Sequence, residues 1–271
     1  MSDRPGVDAS IQAITRLDLR PAPGSAPAWA MVRSHALMET RLLLRNGEQV
    51  LLALVIPLLL LVGVAKAGGV VDLGPGRRID VLTPGVMALA VMSAAFTSLA
   101  IATAYERRYG VLKRLGASPL SRTGLLTGKV VSLLGMEAVQ LAAIGGVGLA
   151  LGWNPEGGLT AALAACVLVL IGTVSFASLG MLMAGTWSAE ATLAGANLVY
   201  VLLLVVGAVV IPAASYPDPL RAVATSLPSG ALAEGLREVL RGEGLVWTRA
   251  VALCAWAAIG TALAIRTFKW E

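Results

Sequence analysis

Glu137 is the one carboxylate that lies well inside a long apolar run of this 271-residue sequence, and Gln140 follows one helical turn later on the same face. An acid in such a setting can serve two ends. It can contact a substrate or carry a proton, because acids inside a membrane are costly and face a bundle interior or a wet cavity. It can equally hydrogen-bond between helices, or reach toward the nearer surface, roughly 12 Å away at about 1.5 Å per residue. Gly145, Gly146, Gly148 and Gly152 continue the same run and suit close helix packing.

Other reactive residue types are sparse. Cys166 and Cys254 fall in different apolar runs, outside any metal-type or redox-type spacing, and are expected to pack as small hydrophobes. His35 stands alone, without a second ligand near it in sequence. A phosphate-cradling loop needs Gly-x-x-x-x-Gly-Lys-Ser/Thr, and the nearest segment, Gly124-Leu-Leu-Thr-Gly-Lys129-Val, has the wrong spacing and lacks the hydroxyl. The chain is therefore expected to bind no nucleotide, cofactor or metal and to carry no catalytic constellation of its own.

The elements that position these residues are apolar helices. Hydrophobic residues make up 57% of the chain and charged residues only 14%, with a mean hydropathy of +0.79. A water-facing domain carries roughly 25% charged residues, so a soluble globule is excluded. A bilayer core asks for about 20 consecutive apolar residues per helix. Six runs approach or exceed that: 49–69, 84–105, 130–153, 159–185, 189–212 and 245–266. Their Gly, Ala, Leu and Val content fits packed membrane helices, and they lack the alternation of a barrel strand. The predicted fold class is an all-α polytopic membrane protein with six transmembrane helices.

Basic residues set the orientation. With the N-terminus inside, fourteen of the 21 Lys and Arg residues fall on the cytoplasmic side and seven outside, which predicts that both termini are cytoplasmic. The basic balance then belongs to topology, and nucleic acid is not a partner. Tyr105, Tyr109, Trp153, Trp187, Trp247 and Trp270 sit at predicted span ends, where amphipathic rings favour the interface. Residues 1–28, with Pro5, Pro21, Pro23 and Pro27, read as a mobile cytoplasmic tail rather than a signal peptide. Over 29–48 the pattern turns helical. Trp29, Val32, Ala36, Thr40 and Leu43 share one face, and Ser34, Arg41, Arg45 and Glu48 the other, as in a helix lying in the membrane interface. Packing of a soluble helix on a partner is the alternative.

The loop between the second and third runs is the most informative segment. It reads Glu106-Arg-Arg-Tyr-Gly-Val-Leu-Lys-Arg-Leu-Gly-Ala-Ser-Pro-Leu-Ser-Arg-Thr-Gly124 and continues to Gly128-Lys129. A short helix is predicted after Gly110, with Leu112 and Leu115 on one side and Lys113 and Arg114 beside them. A rigid element of this kind can transmit a partner's movement into two spans, or it can simply satisfy the positive-inside rule.

This segment resembles the signature of ABC-2 permeases, where an acidic-basic pair precedes Gly-Thr-Leu-Lys-x-Leu, a small residue, Thr-Pro-Leu and a later Gly-Lys. Glu106, Arg107, Gly110, Leu112, Lys113, Arg114, Leu115, Ala117, Pro119, Leu120, Gly128 and Lys129 match, whereas Val111, Gly116 and Ser118 depart. The fifth run ends Val206-Gly-Ala-Val-Val-Ile-Pro212, similar to the family's Ser-Gly-x-x-x-Pro with Val in place of Ser. The resemblance covers residues 28–268. It implies a cytoplasmic coupling helix in which Glu106, Arg107, Gly110, Leu112, Lys113, Arg114, Leu115, Pro119 and Leu120 dock on an ATPase, and short extracellular or re-entrant helices before the last span. It further implies two ABC ATPase subunits, identical or homologous, that hold ATP and Mg²⁺, and a second permease chain forming a homodimer or heterodimer. The setting it implies is a bacterial plasma membrane, with lipid around the spans and a lipophilic substrate such as a drug or lipid for export. A proton-coupled secondary transporter using Glu137 is the alternative function, and a membrane-embedded enzyme or assembly factor the third.

Overall fold

The computed structural model describes residues 26–45, 47–67, 77–116 and 122–268, and among these the only regular structure is helical. The tail over 1–25, Pro119, Leu120 and Trp270 lie outside the described residues. Ten helices follow one another: α1 Ala28–Arg45, α2 Gly47–Lys66, α3 Arg78–Arg108, α4 Val111–Gly116, α5 Arg122–Ala150, α6 Gly158–Thr186, α7 Ala189–Val206, α8 Asp218–Ser226, α9 Pro228–Leu240 and α10 Trp247–Thr267. Helices α3, α5, α6, α7 and α10 are long and apolar enough to cross a membrane, and α2 adds a shorter apolar stretch, Ala53–Lys66. The protein is thus a multi-pass membrane protein.

Connections gather at two ends. At one, Arg107 of α3 meets the carbonyl of Trp187, and Gly185 lies against Phe268. At the other, the Asn154 amide faces the Asp80 carboxylate at 3.5 Å, and the Glu156 amide donates to the Leu240 carbonyl at 2.9 Å. Successive spans therefore run in alternating directions.

Close approach is made possible by small residues. A Cβ on Gly180 of α6 would stand 2.9 Å from the Phe96 carbonyl of α3, and one on Gly260 of α10 would stand 2.3 Å from Ser178 Oγ of α6. Such contacts suit helix packing in lipid, where shape and backbone proximity replace the hydrophobic drive. Phe96 belongs to a π-helical segment, Ser93–Ser98, that interrupts α3 and keeps the ring buried. Single π turns inside α-helices add one residue per turn and re-aim side chains.

Several sequence expectations are corrected here. The second run begins six residues early, at Arg78, so that Pro84 stands inside the helix, in its second turn, rather than at its start. The fifth run does not stay helical to Pro212. Helix α7 stops at Val206, and residue 208 has φ 53°. The cause is tertiary: Gly207 abuts Ser229 of α9, whose hydroxyl donates to the Leu203 carbonyl at 3.1 Å. Trp153 follows the end of α5, as expected, but its ring is buried in the protein, because α5 ends in a turn whose Trp153 amide returns to the Gly148 carbonyl at 2.9 Å, setting the indole over Gly148. Cys166 and Cys254 are free and point outward. The packing face of α1 is Val32, His35, Ala36 and Glu39, turned against α5, while Trp29 is 65% exposed. The side chains of Leu43 and Glu48 lie outside the described residues.

Candidate functional site: a charged joint at the helix ends

Lys129 is the centre of the site. It sits in the second turn of α5, is only 6% exposed, and its Nζ lies 2.6 Å from Glu106 Oε1 and 3.2 Å from Glu39 Oε1. Glu106 comes from the last turn of α3 and Glu39 from α1. Three helices are thereby held by one ammonium group, which offers three donors and suits two carboxylates at once. His35 Nε2 stands 3.6 Å from the same Glu39 oxygen and has no hydrogen-bond partner among the described residues. The preceding Gly128 is what lets α1 approach. A Cβ there would fall 2.5 Å from His35 Cδ2 and 3.5 Å from the Ala36 amide nitrogen. In the Gly-Lys pair, the glycine is a seat for α1 and the lysine its tie.

The short helix α4 grows from this joint. Gly110 takes φ +70°, a left-handed turn that glycine adopts without the Cβ penalty, and its carbonyl accepts from the Arg114 amide at 3.1 Å. Leu112 is 4% exposed, buried within the chain itself. This corrects the expectation that Leu112 supplies apolar area to a partner: its place is to fasten α4. Leu115 is half-buried. The exposed residues of α4 are Val111, Lys113 and Arg114, with Tyr109 beside them.

The neighbouring cations point elsewhere. Arg107 donates to the Trp187 carbonyl and Arg108 to the Glu190 carboxylate. Both partners lie at the α6–α7 turn, whose second helix is capped by Ser188 Oγ accepting from the Ala191 amide at 3.2 Å. Arg108 also lies over the Tyr109 ring, 6.0 Å from its centroid. The end of α3 therefore grips α1, α5 and the α6–α7 turn together.

Glu137 and Gln140 are fully buried, two to three turns further along α5, but they serve different neighbours. Thr173 Oγ1 of α6 donates to Glu137 Oε2 at 2.7 Å, and Gln140 Nε2 donates to the Ala53 carbonyl of α2 at 2.6 Å. Glu137 Oε1 and the single side-chain oxygen of Gln140 have no partner among the described residues. Of the two roles open to Glu137, this geometry displays the interhelical one.

A second polar centre went unrecognised in the sequence. Arg237, 2% exposed on α9, donates Nη1 to Glu234 Oε1 at 2.7 Å and to the Ala208 carbonyl at 2.8 Å, and Nε to the Val81 carbonyl at 3.1 Å. It also donates to the Val209 carbonyl, and Glu234 accepts from the Ala213 amide at 2.9 Å. This guanidinium satisfies buried carbonyls that the non-helical stretch after α7 leaves without helical partners. Gly85 completes the fit, since a Cβ there would meet the Val209 carbonyl oxygen at 2.3 Å and Arg237 Nη2 at 2.6 Å. A Glu and an Arg three apart in an otherwise Ala-, Gly- and Leu-rich helix were the available signal.

Between α3, α6, α7 and α10 lies an apolar cavity of about 220 Å³, lined among others by Phe96, Met183, Leu203, Pro228 and Trp256. Among the described residues no group of three His, Cys, Asp or Glu side chains is placed to hold a metal ion.

No curated protein matches the sequence significantly. The family model described as ABC-2 family transporter protein matches residues 78–266, which takes in α3 through nearly all of α10 and more than two thirds of the chain. This span contains the Glu106–Lys129 pair, α4 and the Glu234–Arg237 pair. The chain belongs to the ABC-2 family of transporter proteins, the membrane permeases that work with an ABC ATPase subunit.

Proposed function

We propose that this chain is the permease subunit of an ATP-driven exporter, contributing half of a translocation pathway. In this reading α2 is the sixth span, both termini are cytoplasmic, and the joint around Lys129 faces the cytoplasm of a bacterial cell. ATP and Mg²⁺ are held by separate ATPase subunits, and a second permease chain, identical or homologous, supplies the other half of the path. The observation that carries the reading is the convergence of α1, α3 and α5 on Lys129, directly beside an α4 whose Val111, Lys113 and Arg114 are exposed. Force applied to α4 enters the spans through contacts short enough to be stiff. The wholly apolar cavity by Phe96 and Trp256 supports a lipophilic substrate, because it offers surface area and no hydrogen-bonding group.

The test is purification of the tagged full-length chain from its native membrane in mild detergent. Co-elution of an ABC ATPase in comparable amount, with vanadate-sensitive ATP hydrolysis in the eluate, is expected. A chain that purifies without an ATPase, and whose transport follows an imposed proton gradient, would overturn the reading.

A further inference from the structure

Helix α1 has a second face, and it lies outside the residues matched by the family model. Arg33, Leu37, Arg41 and Arg45 follow one another at intervals of four and form a slowly turning ridge on the side away from α5. All four are exposed, as are Met38 and Leu42 beside them. The only acid of α1, Glu39, is turned inward to Lys129. Arg41 and Arg45 form no ion pair or hydrogen bond with any described residue, and Arg33 lies over the exposed Trp29 ring at 5.3 Å.

We propose that this ridge is a docking surface for anionic phospholipid headgroups, with Arg33, Arg41 and Arg45 as the phosphate ligands. Charge complementarity selects the occupant: three exposed guanidinium groups, paired with no carboxylate among the described residues, form a set of donors for phosphate oxygens. Connectivity selects the location, since Arg45 precedes by two residues the start of α2, the apolar helix assigned above to a span. Leu37, Met38 and Leu42 are exposed at 51%, 43% and 56%, and enter the acyl boundary while the arginine heads remain at headgroup level. Trp29 is placed as an interfacial anchor. The proposal rests on the reading that α1 lies at the cytoplasmic surface. It adds a consequence: lipid on the outer face presses His35 and Glu39 onto Gly128 and Lys129, so anionic lipid supports the joint.

The test offers the delipidated full-length chain an equimolar mixture of phosphatidylglycerol and phosphatidylcholine and counts retained lipids by native mass spectrometry. Phosphatidylglycerol should exceed phosphatidylcholine by about tenfold or more. The triple variant R33Q/R41Q/R45Q should bring the ratio near one, and each single variant should lower it by up to about fivefold. Arg77→Gln, at the opposite end, should leave it unchanged. The single variants keep the test decisive if the triple variant does not fold. An absent preference in the wild type, or one that survives all the substitutions, overturns the proposal. So does loss of the ATPase from the triple variant in lipid-free detergent, which makes the ridge a protein contact. Failure of the wild-type chain to bind an ATPase, with the lipid ratio intact, counts against the function proposed above and leaves this surface standing.

Discussion

The Lys129 ammonium and the Glu106 carboxylate, 23 positions apart in the chain and on different helices, meet at 2.6 Å, with Lys129 almost entirely shielded from solvent. A buried cation between two carboxylates is not replaceable by removing one member, since the remaining charges then lose their partner while desolvated. Lys129→Met should therefore destabilise the purified protein by about 2–4 kcal/mol. Glu39→Gln, which leaves the shorter contact intact, should cost less. Thermal unfolding in detergent reads both, and equal losses would show that the two contacts do not share the work as their distances indicate.

Gly128 should be intolerant of even a methyl group. Its Cβ would fall 2.5 Å from His35 Cδ2, so Gly128→Ala must shift α1 or the imidazole, at about 1–3 kcal/mol. His35→Ala in the same chain should return much of that loss by vacating the space. Protease nicking within 29–45 should rise in Gly128→Ala and fall again in the double variant. An unchanged double variant would mean that α1 is displaced by something other than the ring.

Arg237 should matter more to folding than any exposed arginine. Arg237→Met strands Glu234 and three backbone carbonyls, and about 3–5 kcal/mol is expected. Adding Glu234→Gln should recover at least about 1 kcal/mol, because the orphaned charge is gone. A Gly85→Ala change should mimic the defect by pressing on the guanidinium and on the Val209 carbonyl.

Much of the fold was legible in the sequence, because length and apolarity alone mark spans and because helix α4 is announced by Gly110. The positions of the polar centres were not. Glu106 and Lys129 lie on different helices, and Glu39 lies on a third, so pattern within one helix says nothing of their meeting. The burial of Arg237 is invisible in the sequence, since it depends on carbonyls that only the end of α7 supplies. The same ambiguity misassigned Leu112: an apolar residue alternating with cations looks alike whether it faces its own chain or a partner. Residues 207–212 stay apolar after the helix stops, so hydropathy continued the span past a break that Ser229 and Arg237 impose.

Glu137 should act as a tie between α5 and α6. Glu137→Gln keeps the size and an acceptor for Thr173 and should leave both stability, within about 1 kcal/mol, and transport in place. Thr173→Val removes the donor and should cost about 1–3 kcal/mol. Loss of transport in a Glu137→Gln complex that still assembles and hydrolyses ATP would instead put the carboxyl in the pathway.

The central claim is that the exposed face of α4 receives the ATPase, while Leu112 holds α4 to its own chain. Lys113→Glu with Arg114→Glu tests it most directly, since both side chains are exposed and their reversal spares the packing. Reversing two contacts that are each worth up to about 1 kcal/mol should weaken ATPase binding by about tenfold or more. The measurement is the ATPase-to-permease ratio after copurification from membranes, with thermal unfolding as the control for folding. The account predicts an inserted, stable double variant that has lost its ATPase and no longer exports. A double variant that retains the ATPase in wild-type amount and exports normally would contradict it.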